Sequence, residues 1–584
     1  MRSFFLRRGT NIILALWVMV SIASVAAMYH LWFEREFAIY FGKTASSKQE
    51  QIFILSGLPL KSLSIAKDID LCWPIDAEYK FDGSGVMSSY MKYLVIPRIP
   101  SGSEYYKISE EKNKYHAQPP LDECVNSEQV AQFSTVKPTP SGLFFSLLII
   151  ILVSTGLRNG IRQLKLSIPE SMAVAIFGIY LLVVLSKGVF GSMQWAGWAA
   201  VGASLVSLGY IAKTRVQSGP VSFGLSSFKF SWESALLILL IFFFCLWSFL
   251  MAVIVGPDDW DAWAQWGPKA KILAMEYASL ASVRYFVPGS GDYPLLWPAL
   301  WAFSGWAAGG WEDQWSKGWG PILLVLTSWQ LGLIAFRASG RAAYGLLVAA
   351  LWVSMPAVPL VASWAYAEAP LWLMLVCAMS RLLSWQVSKN PVDISVAGIF
   401  VAAAACTKNE GVLFAFIVCI WTLMQSRSVR EAFAPLAALC IPLAFFWGPW
   451  MLYTRLVMET SNHALWFLGS GWVPAFSDFG SAALQVFTIW KDIRQWNLVL
   501  PVLILASMVL VFRGDRASRI NLLIPFAMLF SSFIIALFHG PNWSWQIGVA
   551  WNRLTMQSLI LLLPVLVHGF LMQGLAKVKK PLAG

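Results

Sequence analysis

Long apolar runs, each closed by a short polar or charged connection, repeat along most of this chain. Beyond residue 141 they lie near 142–157, 168–186, 195–212, 233–255, 317–336, 342–361, 369–386, 392–406, 411–425, 432–452, 497–512, 520–538 and 555–573. Many approach the ~20 apolar residues that carry a helix across a bilayer. Together with the run from Ile12 to Phe33 they predict about fourteen spans by hydropathy. The one long interruption, from Glu34 to Ser141, mixes Pro, Gly, Lys and Glu with short strand-like runs such as that beginning at Tyr93. The pattern therefore predicts an all-α polytopic membrane protein of about fourteen transmembrane helices, with a small extracytoplasmic domain that is α+β or irregular.

Composition agrees. The 584 residues are 58% hydrophobic and 13% charged, against about 25% charged in a soluble protein. The net charge of +12 matters less than its distribution in such a chain, and it gives no support to nucleic acid as a partner. Basic residues gather in every second connection: Arg158, Arg162 and Lys165; Lys213, Arg215 and Lys229; Arg337 and Arg341; Arg381 and Lys389; Arg427 and Arg430; Arg513, Arg516 and Arg519; Lys577, Lys579 and Lys580. The positive-inside rule puts these, and the basic N-terminus, in the cytoplasm. The run from Ile12 to Phe33 reads as a retained anchor in preference to a cleaved signal peptide, because it stays apolar through Met28, Leu31, Trp32 and Phe33. Thirty-one tryptophans suit membrane interfaces, where an apolar ring and an N–H are both satisfied. Of seven cysteines, Cys72 and Cys124 share the polar segment and form a candidate disulfide if it lies outside the cytoplasm. No cysteine–histidine cluster suggests zinc.

The chemistry concentrates on the opposite, outer side. The run ending at Val255 opens abruptly into Gly-Pro-Asp-Asp-Trp-Asp, with Asp258, Asp259 and Asp261, then Lys269 and Lys271. Carboxylates at a membrane boundary are costly unless they face water or a partner, so function is their default reading. The stretch from Asp261 to Leu280 has the composition of a helix lying in the interface. Asp292 and Tyr293 follow in Gly-Asp-Tyr-Pro, Glu368 in Tyr-Ala-Glu-Ala-Pro, Lys408 and Glu410 in Thr-Lys-Asn-Glu-Gly, and Arg553 just before the last span. Acids beside cations at this boundary suit a polyprenyl-phosphate sugar, whose tail lies in the bilayer and whose phosphate lies at the surface. Cations hold the phosphate and stabilise it as a leaving group, and a carboxylate deprotonates the attacking hydroxyl. No phosphate loop or dinucleotide fingerprint points to a nucleotide. Three neighbouring acids also suit Mg²⁺ or Mn²⁺, which this chemistry does not require.

These motifs, in this order, resemble the GT-C superfamily of integral-membrane glycosyltransferases, in particular the branch holding the protein O-mannosyltransferases and the lipid A aminoarabinose transferases. The likeness covers roughly residues 232–560. It divides the chain into an anchor (1–33), an extracytoplasmic domain (34–141), additional spans (142–231), a catalytic membrane module (232–452), an outer loop (453–496) and C-terminal spans (497–584). Residues 1–231 lie outside it, so four spans and the polar insert depart from the family pattern. The resemblance implies an inverting transferase working on the outer face of a membrane, typically a bacterial inner membrane. Its first-loop aspartate, the base, falls on Asp258 or Asp259, with Asp261 beside them. Its phosphate-contacting lysine falls on Lys408. Arg553, Lys269 and Lys271 would assist, Glu368 would orient the acceptor or the lysine, and Asp292, Tyr293 and Glu410 would line the substrate site. The acceptor, whether glycan, lipid or protein, is left open. The competing class is a transporter or flippase of lipid-linked glycans, which should carry its charges near the midplane on paired broken helices.

The alternation of basic connections makes the topology testable. Cysteines introduced at Ser290 and Ser470 are expected to react with a membrane-impermeant thiol reagent from outside intact cells, and one at Ser218 is not; labelling of Ser218 alone would invert the orientation.

Overall fold

The computed structural model describes residues 17, 19–21, 23, 78–82, 99–100, 107–111, 114–118, 139–218, 231–254, 261–275, 280–286, 291–458, 476–538 and 542–578. Asp258, Asp259, Cys72, Cys124 and the run at Tyr93 lie outside these residues.

Four short strands fall within the polar segment: β1 (Glu78–Asp82), β2 (Ile99–Pro100), β3 (Lys107–Glu111) and β4 (Lys114–Gln118). They form one sheet in the order β2-β1-β3-β4. β1 is parallel to β2 and β3, and β3–β4 is an antiparallel hairpin pairing Glu111 with Lys114.

Among the described residues the remaining main elements are helices. The elements are α1 (Ser141–Gly160), α2 (Ile168–Phe190), α3 (Gln194–Ser218), α4 (Trp232–Ile254), α5 (Gly267–Ala274), α6 (Leu296–Ala307), α7 (Trp319–Ser339), α8 (Ala342–Val353), α9 (Ala357–Ser363), α10 (Glu368–Ser388), α11 (Pro391–Ala405), α12 (Asn409–Gln425), α13 (Val429–Phe446), α14 (Gly448–Leu456), α15 (Phe479–Trp490), α16 (Val499–Arg513), α17 (Arg516–Leu537) and α18 (Trp543–Val578). Among the described residues nine helices are long and apolar enough to cross a membrane, or up to ten if the pair α8–α9, bent by 69°, is one span; α11, α12 and α16 are shorter apolar helices. The chain is an integral membrane protein built of helices. Each apolar run beyond residue 141 lies on a helix, but the short ones are not full spans by length.

Three stretches differ from the sequence expectation. Residues 479–490, within the segment read as an outer loop, form α15, because Ala482 and Val486 recur at helical spacing and are buried beside Ile547 and Trp551 of α18. Residues 296–307 form α6, a helix too short for a hydropathy window and buried on every side. The stretch after Asp261 is not a helix lying with one face in the interface: α5 is buried from Gly267 to Leu273, lysines included. The tryptophans also divide. Trp195, Trp198, Trp232 and Trp545 are exposed near helix starts, as an interface belt requires. Nine others, among them Trp297, Trp319, Trp421 and Trp551, are fully buried core residues. Several of these place their N–H on an internal acceptor: Trp297 on Ala365 O (2.8 Å), Trp319 on Ser304 Oγ (2.6 Å) and Trp421 on Asn521 Oδ1 (3.1 Å).

One end of the bundle is tied by a buried ionic clamp. Ser167 and Glu170 form a capping box at the start of α2, which satisfies two backbone donors reciprocally. The same Glu170 takes both Nε and Nη2 of Arg381 on α10, at 2.8 and 2.7 Å. Arg381 also donates to Asp393 on α11 (2.9 Å) and to Lys165 O (3.0 Å), and Gln330 of α7 donates to Glu170 (3.4 Å). Nearby in the chain, Asn521 of α17 joins Gln386 of α10 and Trp421 of α12. The basic connections 161–167, 389–390, 426–428 and 514–515 therefore share this end. Of the N-terminal helices, α2 is bound into the bundle by this clamp through Glu170.

Removing one partner of a buried pair leaves the other charge uncompensated, at roughly 3–5 kcal/mol. Arg381→Met is expected to lower thermal stability in detergent by that order, and the double variant Glu170→Gln/Arg381→Met to recover a substantial part; equal stability of the single variant and wild type would contradict the clamp.

Candidate functional site

At the other end, residues from six separate stretches of chain meet. α10 opens at Glu368, thirteen positions before Arg381, so about 20 Å of helix separates the two charged regions. α11 has fifteen residues and spans about 22 Å, short of the ~30 Å hydrocarbon core. The turn Cys406–Lys408 that follows is thus set below the level reached by a full span. α12 folds straight back from that turn. A Cβ at Gly411 would lie 2.1 Å from Ala404 O, so only glycine lets the first turn of α12 rest on the end of α11. The turn is fixed further by Leu296 N, which donates to Cys406 O (3.1 Å).

This geometry delivers Lys408 to Glu368. Its Nζ lies 2.8 Å from Glu368 Oε1 and 2.8 Å from Glu410 Oε1. Arg553, near the start of α18, lies 3.5 Å from the same Glu368 oxygen through Nη1, and the same nitrogen is paired to Asp261. The guanidinium stacks 4.8 Å from the ring of Tyr366. Charges thus alternate along one line: Asp261, Arg553, Glu368, Lys408, Glu410. Glu368 has no exposed surface, and the side chains of both cations are at most 15% exposed. Glu368 Oε2 and Glu410 Oε2 find no hydrogen-bond partner among the described residues.

A second group adjoins the first. Asn409 donates to Asp292 Oδ2 (3.3 Å), and Trp450 of α14 donates to Asp292 O (2.8 Å). Lys269 donates to Tyr293 O (3.0 Å) and lies 5.6 Å from the rings of both Trp266 and Tyr293. Burial lowers the Lys269 amine to about 7, with Asp292 opposing. Lys271 is buried two positions along α5, off the face that carries Lys269.

The structure therefore joins Asp261, Glu368, Lys408, Glu410 and Arg553 in one network, with Asp292, Tyr293 and Lys269 beside it. Asn409, from the Thr-Lys-Asn-Glu-Gly motif, joins this region, as do Tyr366 and Trp450, which were not singled out in the sequence; for Tyr366 the signal was its proximity to Glu368 in Tyr-Ala-Glu. Among the described residues no three His, Cys, Asp or Glu side chains group to hold a metal ion. Asp261, Glu368 and Glu410 are each engaged by Arg553 or Lys408, which satisfies their charge in another way.

Away from these pairs, Glu312 is buried in the turn that leads into α7. It accepts from the backbone N–H of Gln314 (2.9 Å), Trp315 (2.8 Å) and Ser316 (3.0 Å). No protein-family model, curated protein or solved structure matches this chain.

Burial pushes the Glu312 carboxyl up to about 7 from an ordinary 4.5, against the opposing backbone N–H bonds. A raised folded pKa gives a contribution that is full below about pH 4.5 and is lost as pH rises through 7. Wild type is therefore expected to lose stability relative to Glu312→Gln between pH 5 and 8, by up to roughly 1.4 kcal/mol per pH unit. Parallel melting curves in detergent check this; a pH-independent difference would contradict it.

Proposed function

We propose that this protein is an integral-membrane glycosyltransferase of the GT-C type, moving a sugar from a polyprenyl-phosphate donor to an acceptor at the extracytoplasmic face. The observation that carries the reading is the convergence of two cations, Lys408 and Arg553, on one buried carboxylate, Glu368. Like charges held this close need a shared counter-ion, and Glu368 supplies it. Among the described residues Asp261 and Glu368 meet Arg553 at Nη1, and an arginine carries five N–H donors and a lysine three. A phosphate at the apolar boundary is the anion such a pair is suited to hold and to stabilise as it leaves.

The acid–base step falls to the acidic ledge. Asp258 or Asp259 takes the proton of the acceptor hydroxyl as its oxygen attacks the anomeric carbon and the phosphate departs with the electron pair of the broken bond. That single displacement inverts the anomeric centre. Asp261 orients Arg553, and Glu368 orients both cations. The unpartnered Glu368 Oε2 and Glu410 Oε2 are suited to accept from sugar hydroxyls, since an unsatisfied buried acceptor costs roughly 1–3 kcal/mol. A divalent cation is optional in this scheme. The sheet-bearing segment 34–141 is read as the extracytoplasmic domain.

The transporter reading rests on the bent pair α8–α9. A transporter would show related broken helices in two halves, and the described residues hold one such pair.

The test is purified protein incubated with a panel of radiolabelled polyprenyl-phosphate sugars, scored for release of polyprenyl phosphate. Asn keeps the size of Asp but accepts no proton, and a positioned base contributes roughly 10²–10⁴-fold. One of Asp258→Asn and Asp259→Asn is expected to lose turnover by that factor with donor binding intact. Near-normal transfer by both and by the double variant would exclude the mechanism and send the question to a lipid-flipping assay in liposomes.

A further inference from the structure

The helix that carries Arg553 has two unlike faces. On one, Trp551 packs with Trp490 of α15 and Phe533 of α17, and Trp490 donates to Thr555 (3.1 Å). Arg553 and Gln557 stand two positions beyond Trp551 and Thr555, about 200° around the helix, and share the other face at i and i+4. That face meets α10, where Arg553 reaches Glu368. Both helices run from the site toward the clamp: α10 carries Arg381, and α18 meets Ser518 at Gly569. Gln557 therefore lies one turn, about 5.4 Å, below Arg553, and Trp372 lies one turn below Glu368.

Gln557 is 1% exposed, and neither its Oε1 nor its Nε2 has a hydrogen-bond partner among the described residues. Trp372 is fully buried, its ring edge-on to Trp352 at 5.3 Å, and its Nε1 is likewise unpartnered. Burying such groups without partners is unfavourable, and an apolar residue at 557 would avoid the cost. The donor set narrows what could meet them. A phosphate oxygen only accepts and would leave Gln557 Oε1 unmet. A cation would leave Nε2 unmet. A hydroxyl donates and accepts, as the amide does. With Glu368 Oε2, the set offers two acceptors and two kinds of N–H donor within a turn of the cations, which suits a neutral group bearing several hydroxyls.

We propose that Gln557 and Trp372 form the inner wall of a subsite for the neutral, hydroxyl-bearing part of the ligand whose phosphate Lys408 and Arg553 hold. Its assignment to the sugar of a lipid-linked donor rests on the transferase reading above. The sugar is then turned into the helix bundle, and Gln557 is the residue that separates a sugar-bearing polyprenyl phosphate from a bare one.

The experiment titrates purified protein in detergent with bare polyprenyl phosphate and with a panel of polyprenyl-phosphate hexoses, for wild type, Gln557→Met and Trp372→Phe. Wild type is expected to bind at least one hexose lipid about 10-fold more tightly than the bare lipid, the worth of one good hydrogen bond. Gln557→Met keeps the length of the side chain and removes both polar atoms. It is expected to lose that preference while binding the bare lipid as wild type does. Trp372→Phe, which removes one donor and keeps a ring, is expected to lose about 3-fold of it. Gln557→Met is also expected to melt at or above the wild-type temperature, because no bond within the fold is lost; a lower melting temperature would reveal such a bond and overturn the assignment. Equal binding of bare and hexose lipids by wild type overturns the subsite, as does a preference kept in folded Gln557→Met. Should Gln557→Met not accumulate, an unchanged preference in Trp372→Phe overturns it. A preference that Gln557→Met abolishes, in a protein whose wild type releases no polyprenyl phosphate, sinks the transferase reading and leaves the subsite standing.

Discussion

Glu368 is a carboxylate with no exposed surface at the head of an apolar helix, and the candidate site is arranged around it. An ionised carboxylate in such a place is tolerable only when cations meet it. Lys408 and Arg553 do so from two later stretches of the chain, one on the turn between two short helices and one on the last long helix. Their own excess charge is met in turn by Glu410 and Asp261. A line of alternating charges results in which no member is stable without its neighbours. That mutual dependence fixes how α10, α12, α18 and the Asp261 stretch before α5 meet at this end of the bundle.

The same constraint works at the opposite end, where Arg381 carries Glu170, Asp393 and a backbone carbonyl. α10 holds both regions, Glu368 in its first turn and Arg381 in its last half. The two polar regions are thus spaced by one rigid helix, while the apolar length between them is packed with tryptophan and small residues. Among the described residues the ion pairs between helices lie at its two ends, and those bonds help set the register of its helices. A helix–helix contact of apolar side chains alone would tolerate sliding more readily.

The N-terminal helix α2 takes on a role from this arrangement. α2 contributes Glu170 to the clamp and Lys187 to the far end, where it meets the C-terminus of α5. The interior thereby gains a buried lysine directed at a helix terminus, a placement that favours its charge. α5 is held between α2 and α6, which explains why a segment with two lysines and a proline is buried throughout.

Much of this was open to reading from sequence, because a bilayer allows so few solutions. Apolar runs of sufficient length must be helices, and each run beyond residue 141 is one. Charged residues at run ends stand out against that background, and Asp261, Glu368, Lys408, Glu410 and Arg553 could be picked out from the chain alone. What the sequence did not reveal was their pairing. Arg553 and Asp261 are 292 positions apart, and no local pattern says that one guanidinium faces both Asp261 and Glu368. Nor could periodicity separate a lysine directed at water from one covered by rings, as Lys269 is by Trp266 and Tyr293, or a tryptophan at the interface from one in the core. Local composition determined which segments are helices and where charge interrupts them. The tertiary structure alone decided which charges neutralise one another, because that depends on which helix ends the fold brings within hydrogen-bonding reach.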